Sequence, residues 1–239
     1  MANSNFKQLK NLVLVAGHAV YIGNDFIEPA EDRNWFLQSF QRGEPPYYIE
    51  HIRAGIDDAA RDPSSLLVFS GGQTRYEAGP RSEAQSYWNL ADYFQWWSEP
   101  DVKSRSTTEE FARDSFENLL FAICRFRECT DHYPEKIQVV SWAFKERRFD
   151  LHREALRISS DQFQFHGVNQ PADIDGAEKG EAKAIAAFKN DPYGTGIDLG
   201  GKRIGRNPFY RTNPYPLSCN DIKGLLEHTT LYDGKLPWC

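Results

Sequence analysis

Short apolar runs, each followed directly by a turn containing glycine or serine, constrain the fold of this chain more than any other feature. The first run reads NLVLVA and precedes Gly17, and the second reads SLLVF and continues into Ser70-Gly71-Gly72. Continuous runs of this length are typical of parallel strands that are buried on both faces of a sheet. The predicted strands cover residues 11–16, 65–69, 137–141 and 163–168.

Segments with helical spacing separate these strands. The segment that starts at Ser82 has the S-x-x-Q form of a capping box and predicts a helix. A similar T-x-x-E pattern at Thr107 predicts the start of a long helix that ends before Pro134. The alternation of strands and helices predicts right-handed crossovers and a mainly parallel sheet, in a Rossmann-like three-layer α/β/α fold. The other predicted helices cover residues 49–61, 144–157, 180–189 and 220–228.

The 239 residues are expected to form one domain, with a core at about 11–189 and a turn-rich extension at about 190–239. A net charge of −6 argues against sequence-independent binding of nucleic acid. The apolar run that begins at Leu12 is far shorter than the ~20 residues of a membrane span, and the polar segment 1–10 is not typical of a signal peptide. We therefore expect a cytoplasmic protein without a membrane partner.

The cysteines show no CxxC pair and no spacing that suits zinc. They are Cys124, Cys129, Cys219 and Cys239. We expect them to be reduced thiols, as in cytosolic proteins.

In open parallel sheets, ligands bind at the carboxyl ends of the strands, where this chain places polar and glycine residues. The Ser70-Gly71-Gly72 turn, with Thr74 and Arg75 beyond it, offers amides and donors to an anion, although a plain tight turn explains the glycines equally well. Arg147 and Arg148 follow the third predicted strand and are candidates to clamp an anionic group; the alternative is a solvated helix face.

Three titratable residues are candidates for catalysis. His18 stands at the end of the first strand and is a conceivable general base, with a structural histidine as the alternative. Glu83 and Glu117 lie near predicted helix starts, where the helix dipole also favours carboxylates. Asn118 is one of several polar residues that interrupt a helix needed for packing, so some of them are expected to face the ligand crevice.

Taken together and in order, four spaced motifs make this chain similar to the YdcF-like family, also known as domain of unknown function 218, in a eukaryotic, fungal-type version. The similarity covers roughly residues 12–167. The motifs are Ser70-Gly71-Gly72, Ser82-Glu83-Ala84, Asp114-Ser115-Phe116-Glu117-Asn118, and Val140-Ser141 with Arg147 downstream.

The resemblance implies a Rossmann-like fold and a pocket for S-adenosylmethionine or a nucleotide-like molecule, or, in other members, a role in envelope phospholipid-sugar metabolism. Phe144 departs from the family pattern, which has a histidine at this position. In the extension, Arg203 and Arg206 are candidates to close a lid over the pocket; the alternative is a segment that only covers a sheet edge. The pocket residues implied by the resemblance are Gly17, Ser70, Gly71, Gly72, Glu83, Ser115, Glu117, Asn118, Ser141 and Arg147.

The favoured hypothesis from the sequence is an enzyme that binds a small anionic or nucleotide-like ligand, with S-adenosylmethionine as the favoured type. The alternatives are a non-catalytic metabolite-binding protein and a phosphoester or pyrophosphate hydrolase. No divalent metal is expected, but the hydrolase alternative leaves one open, with Asp25, Glu83 and Glu117 as its candidate ligands.

Overall fold

A computed structural model describes residues 6–239, so the first five residues of the polar segment 1–10 lie outside the described range. The strands are β1 (Asn11–Ala16), β2 (Val20–Tyr21), β3 (Trp35–Phe36), β4 (Ser65–Ser70), β5 (Ser106–Glu109), β6 (Lys136–Ser141) and β7 (Phe163–Gly167). The helices are α1 (Pro45–Arg61), α2 (Glu83–Tyr93), α3 (Pro100–Ser104), α4 (Ser115–Thr130), α5 (Glu146–Ala155), α6 (Ile174–Asn190), α7 (Ile197–Gly205), α8 (Tyr215–Ser218) and α9 (Lys223–Leu226).

Five strands form one sheet in the order β5-β4-β1-β6-β7, and every neighbouring pair is parallel. The most apolar strand, β1, lies at the centre, where both faces are covered. The predicted parallel sheet is therefore confirmed. A separate antiparallel pair, β2 with β3, follows β1 and was not predicted.

Helices cover both faces of the sheet, which confirms the three-layer architecture. Leu12 and Leu14 of β1 pack on the side of α4 and α5, whereas Val13 and Val15 pack on the side of α1 and α2. This alternation follows from the two-residue period of a strand.

Helix α1 approaches the sheet very closely at Gly55. A Cβ atom at this position would lie 2.1 Å from Cγ2 of Val15. Only glycine allows this spacing, and the close contact brings α1 against the central strand.

The structure corrects one helix start. Residues 107–109, predicted to open a long helix, belong instead to the edge strand β5, which pairs with β4. The helix begins at Ser115, because the Asp114 side chain accepts a hydrogen bond from the backbone amide of Glu117 at 2.9 Å and caps α4. Ser82 is the N-cap of α2, as its sequence signal indicates: its hydroxyl accepts from the amide of Gln85 at 2.9 Å.

The extension after residue 190 is part of the core. Tyr215, Cys219, Leu225 and Trp238 are buried in the same apolar cluster as the α4 side of the sheet. The helix predicted at 220–228 is present in shorter form, as a 3-10 turn at Asn220–Ile222 that runs into α9. Helix α7 was not predicted. Helix α6 begins at residue 174 rather than 180. Within residues 6–239, no helix combines the length and the apolar character needed to cross a membrane.

Candidate functional site

Polar side chains surround a cavity of about 570 Å³ at the carboxyl ends of β1, β4 and β6. Gly17 and His18 follow β1, Thr74 follows β4, and Ser141 ends β6. Residues at the starts of α4 and α5 and on α6 complete the wall. The cavity thus occupies the position at which open parallel sheets bind ligands, and its volume suits a small molecule.

The Ser70-Gly71-Gly72 turn was predicted to bind an anion through its backbone amides, but in the structure these amides bind other parts of the protein. The amide of Gly71 donates to the carbonyl oxygen of Glu109 at 3.0 Å, and the amide of Gly72 donates to that of Ala112 at 2.7 Å. A Cβ atom on Gly72 would lie 2.6 Å from the same Ala112 oxygen. None of the three turn residues lines the cavity. Because both glycine amides are already paired, they are not free to bind a ligand.

Two glycines make room for the side chain of Glu83, which does line the cavity. A Cβ atom on Gly71 would lie 2.6 Å from Glu83 Oε2, and one on Gly17 would lie 2.7 Å from Glu83 Cβ. Thr74 Oγ1 donates to Glu83 Oε1 at 2.9 Å. Burial raises the pKa of the Glu83 carboxyl, which favours its neutral form.

A buried carboxyl group, that of Glu109, lies behind the turn. It accepts hydrogen bonds from Ser70 Oγ at 2.7 Å, from the Tyr215 hydroxyl at 3.0 Å and from two backbone amides. Ser70 Oγ also lies 3.0 Å from Oδ1 of Asn118, which reaches the cavity wall. Burial raises the pKa of Glu109 to about 7 despite these donors. Ser70 therefore binds an internal acid, and the acid connects β5 to the extension.

His18 connects Lys145 to Ser141 at the cavity wall. Its Nδ1 lies 3.2 Å from Lys145 Nζ, and its Nε2 lies 3.4 Å from Ser141 Oγ. Burial first, and the charge of Lys145 second, lower the pKa of His18 well below its ordinary value. Burial and repulsion by Arg148 lower the pKa of Lys145 to about 7. A protonated Lys145 donates to Nδ1, which leaves the ring proton on Nε2, towards Ser141.

The two neighbouring arginines predicted to clamp an anion lie in different places. Arg148 lines the cavity and pairs with Glu181 of α6 at 3.0 Å. Its Nε and Oε1 of Glu181 are buried without a hydrogen-bond partner among residues 6–239. Arg147 is exposed, pairs with Asp150 at 2.6 Å, and lies outside the cavity. One helical step of about 100° separates the two side chains.

Two acids at the start of α4 form ion pairs with arginines of the protein. Asp114 Oδ2 accepts from Arg203 Nε at 2.6 Å, and Glu117 accepts from Arg113 Nε at 2.9 Å. Burial favours neutral Asp114, but the Arg203 guanidinium and the capping bond outweigh it and lower the pKa. Glu117, a predicted catalytic residue, is buried and does not line the cavity. Arg203, a predicted lid residue, is fixed in this ion pair.

Ser115, the first residue of α4, lines the cavity and contacts a histidine that sequence reasoning missed. Its Oγ lies 2.8 Å from Nε2 of His152. Burial, and then the charge of Arg148, lower the pKa of His152 to about 3. The neutral ring therefore accepts a hydrogen bond from the Ser115 hydroxyl. His152 lies in the interior of α5, where a histidine carries no local sequence signal.

Three cations on the cavity wall have no carboxylate within 4.0 Å among residues 6–239. They are Arg75, Lys145 and Arg206. Arg206 follows α7 and donates to the carbonyl oxygen of Arg113 at 2.9 Å. Two glutamates of the wall, Glu44 and Glu83, have pKa values raised by burial. The three cations without a carboxylate partner in the described part of the chain are therefore the groups of the wall that are available to an anionic ligand.

The structure brings together most of the predicted site residues. Those that line the cavity are Gly17, His18, Thr74, Arg75, Glu83, Ser115, Asn118, Ser141 and Arg148, and those that do not are Ser70, Gly71, Gly72, Glu117 and Arg147. Sequence reasoning missed Lys145 and Glu181. The position of Lys145, four residues after the end of a strand, was the available signal.

Within residues 6–239, no group of three His, Cys, Asp or Glu side chains is placed to hold a metal ion, so Asp25, Glu83 and Glu117 do not form one. The cysteines, Cys124, Cys129, Cys219 and Cys239, are free thiols, and the first three are buried.

Comparison with known proteins gives one significant similarity among curated sequences. The uncharacterized protein YOR238W of Saccharomyces cerevisiae is 28% identical over 264 aligned positions, which cover 85% of this chain and 87% of the yeast protein. No family model matches, and no solved structure gives a significant match. The similarity extends over most of both chains, but because the yeast protein is uncharacterized it indicates no activity.

Proposed function

We propose that this protein is an enzyme that binds a small phosphate-bearing, nucleotide-like molecule in the cavity and cleaves a phosphoester or pyrophosphate bond. The observation that carries the proposal is the set of cavity cations, Arg75, Lys145 and Arg206, without a carboxylate within 4.0 Å among residues 6–239. Guanidinium groups bind phosphate in a bidentate manner, and a lysine adds a compact charge. Phosphate oxygens would supply the missing counter-charge.

S-adenosylmethionine, which the resemblance to the YdcF-like family implies, fits the cavity in volume but not in charge. Its carboxylate would suit Arg75 or Arg206, but its sulfonium would add a cation to a wall on which three cations already lack a carboxylate partner among residues 6–239. Burial raises the pKa of Glu44 and of Glu83, which disfavours their charged forms. The residues therefore suit a phosphate group better, and the family assignment itself stays a prediction.

The pair formed by Lys145 and His18 would supply the proton that bond cleavage needs. Water adds to phosphorus as the bond to the leaving oxygen breaks, and the leaving oxygen takes a proton from the pair. The proton that water releases restores the pair. A pKa of about 7 for Lys145 suits this role, since a group that titrates near neutral pH both gives and regains a proton readily.

Binding is tested by thermal stability against a panel of single ligands, each with and without magnesium. The panel contains inorganic phosphate, pyrophosphate, AMP, ADP, a sugar nucleotide and S-adenosylmethionine. A ligand present at about 100 times its dissociation constant adds ~2.7 kcal/mol to the free energy of unfolding. We expect stabilisation by at least one phosphate-bearing ligand and a smaller effect of S-adenosylmethionine.

Matched variants locate the binding. Arg206→Met and Lys145→Met remove cavity cations, and Arg147→Met removes an exposed arginine outside the cavity. We expect the first two to weaken binding of the phosphate-bearing ligand by about tenfold or more and the third to leave it unchanged. Equal affinities in all three variants, or stabilisation by S-adenosylmethionine alone, would overturn the proposal.

Turnover separates an enzyme from a metabolite-binding protein, the alternative class. Release of phosphate from each ligand that binds is followed over time with wild-type protein and with His18→Gln. We expect release by the wild type and a rate at least about 100-fold lower in the variant, with binding retained. Tight binding without turnover of any ligand would favour the binding protein.

A further inference from the structure

A smaller cavity of about 220 Å³ adjoins the one described above, because Arg113 and Arg206 line both. We call it the recess. Gln73, which follows β4, lines the recess together with residues 207 and 211–213 of the extension. The recess therefore lies where the extension crosses the ends of β4 and β5.

Arg211 is held in a defined position in the recess. Its guanidinium lies 4.3 Å from the centre of the Phe111 ring, and its Nη1 donates to the carbonyl oxygen of Glu110 at 3.2 Å. Its backbone amide and carbonyl both bond to the side chain of Asn207 at 2.9 Å. Among residues 6–239, no carboxylate lies within 4.0 Å of this guanidinium.

The charges around the recess favour an anion. Arg206 and Arg211 have no carboxylate within 4.0 Å in the described part of the chain, whereas Arg113 is neutralised by Glu117. Glu110 is the carboxylate on the recess wall, and one of its oxygens accepts from Thr108 Oγ1 at 2.9 Å. Two arginines without a carboxylate partner thus face one carboxylate.

We infer that the recess binds a second anionic group of the ligand in the main cavity, so that the ligand is a small molecule with two separated phosphate groups. The inference rests on the proposed function. At about 220 Å³, the recess is smaller than the ~300 Å³ at which pockets for whole small molecules begin. Arg206 lines both cavities, so it would contact both phosphate groups of such a ligand.

Calorimetric titration of the full chain compares two probes, AMP and adenosine 3′,5′-bisphosphate, which differ by one phosphate group set apart from the first. We expect the wild type to bind the bisphosphate about tenfold or more tightly than AMP. Arg211→Met should remove this preference and leave AMP binding within about twofold, and Arg211→Lys should keep part of it. Arg147→Met is the exposed arginine control.

Each result decides the inference. Equal affinity of the wild type for both probes, or an equal loss of both in Arg211→Met, would overturn it and leave the proposed function standing. If the wild type binds neither probe nor any other phosphate-bearing ligand, the proposed function fails and the recess inference fails with it. Should Arg211→Met not fold, Gln73→Glu brings a negative charge to the wall of the recess and should abolish the preference for the bisphosphate in the same way.

Discussion

Replacing Lys145 by methionine should stabilise the protein at neutral and acidic pH while it weakens phosphate binding. Burial, and then the charge of Arg148, lower the pKa of Lys145 from an ordinary 10.5 to about 7. The folded protein therefore binds this proton less tightly than the unfolded chain does. The ammonium destabilises the fold most below about pH 7, and the effect fades as the pH rises towards 10.5, where lysine is neutral in both states.

The size of the effect follows from that pKa difference. At 1.36 kcal/mol for each pH unit, a fall from 10.5 to about 7 corresponds to at most ~5 kcal/mol. Lys145 keeps some contact with solvent, which reduces the cost, so we expect a gain of ~2–4 kcal/mol at acidic pH. Methionine has a similar length and no charge, so it fills the same space. A gain in stability with a loss of binding is typical of functional sites.

Urea unfolding from about pH 6 to about pH 10 measures this effect, with Lys202→Met as the control because Lys202 is an exposed lysine of α7. The midpoint of Lys145→Met should exceed that of the wild type at about pH 6, and the two should converge towards about pH 10. A lower midpoint at about pH 6, or a difference that does not change with pH, would refute the reasoning.

Three further changes test the packing around the site. Glu109→Ala leaves the Tyr215 hydroxyl and two backbone amides without their acceptor, while Ser70 Oγ keeps Asn118 Oδ1. It should lower the free energy of unfolding by ~3 kcal/mol in urea titrations; a loss below ~1 kcal/mol would contradict the network. Gly55→Ala should cost ~1–3 kcal/mol by overpacking, and Val15→Ala in the same chain should recover part of the loss of thermal stability. Arg203→Met leaves the buried Asp114 charge unpaired, so we expect the free energy of unfolding to fall by ~3–5 kcal/mol and proteolysis after residue 190 to become faster. An unchanged cleavage pattern would show that this pair does not fix the extension.

Local patterns were sufficient for the parallel sheet and for part of the site. The strands β1, β4, β6 and β7 were all predicted. For β1 and β4 the signal was a continuous apolar run followed by a turn, which is a property of neighbouring residues. His18 and Ser141 were predicted as site residues because the ends of parallel strands meet at one edge. The β5 strand was missed, since four polar residues at a sheet edge resemble a helix cap more than a strand.

The roles of the individual side chains depend on contacts between distant parts of the chain. Arg147 and Arg148 are chemically equivalent in the sequence, and only the direction of α5 puts one of them into the cavity. Lys145 is an ordinary lysine until α6 and the sheet ends bury it beside His18. The sequence by itself determined the class of fold and the edge of the sheet at which the cavity lies, because both follow from local period and turn chemistry. Tertiary structure decided which charges lose their water and which gain a partner, and those two properties set the chemistry of the site.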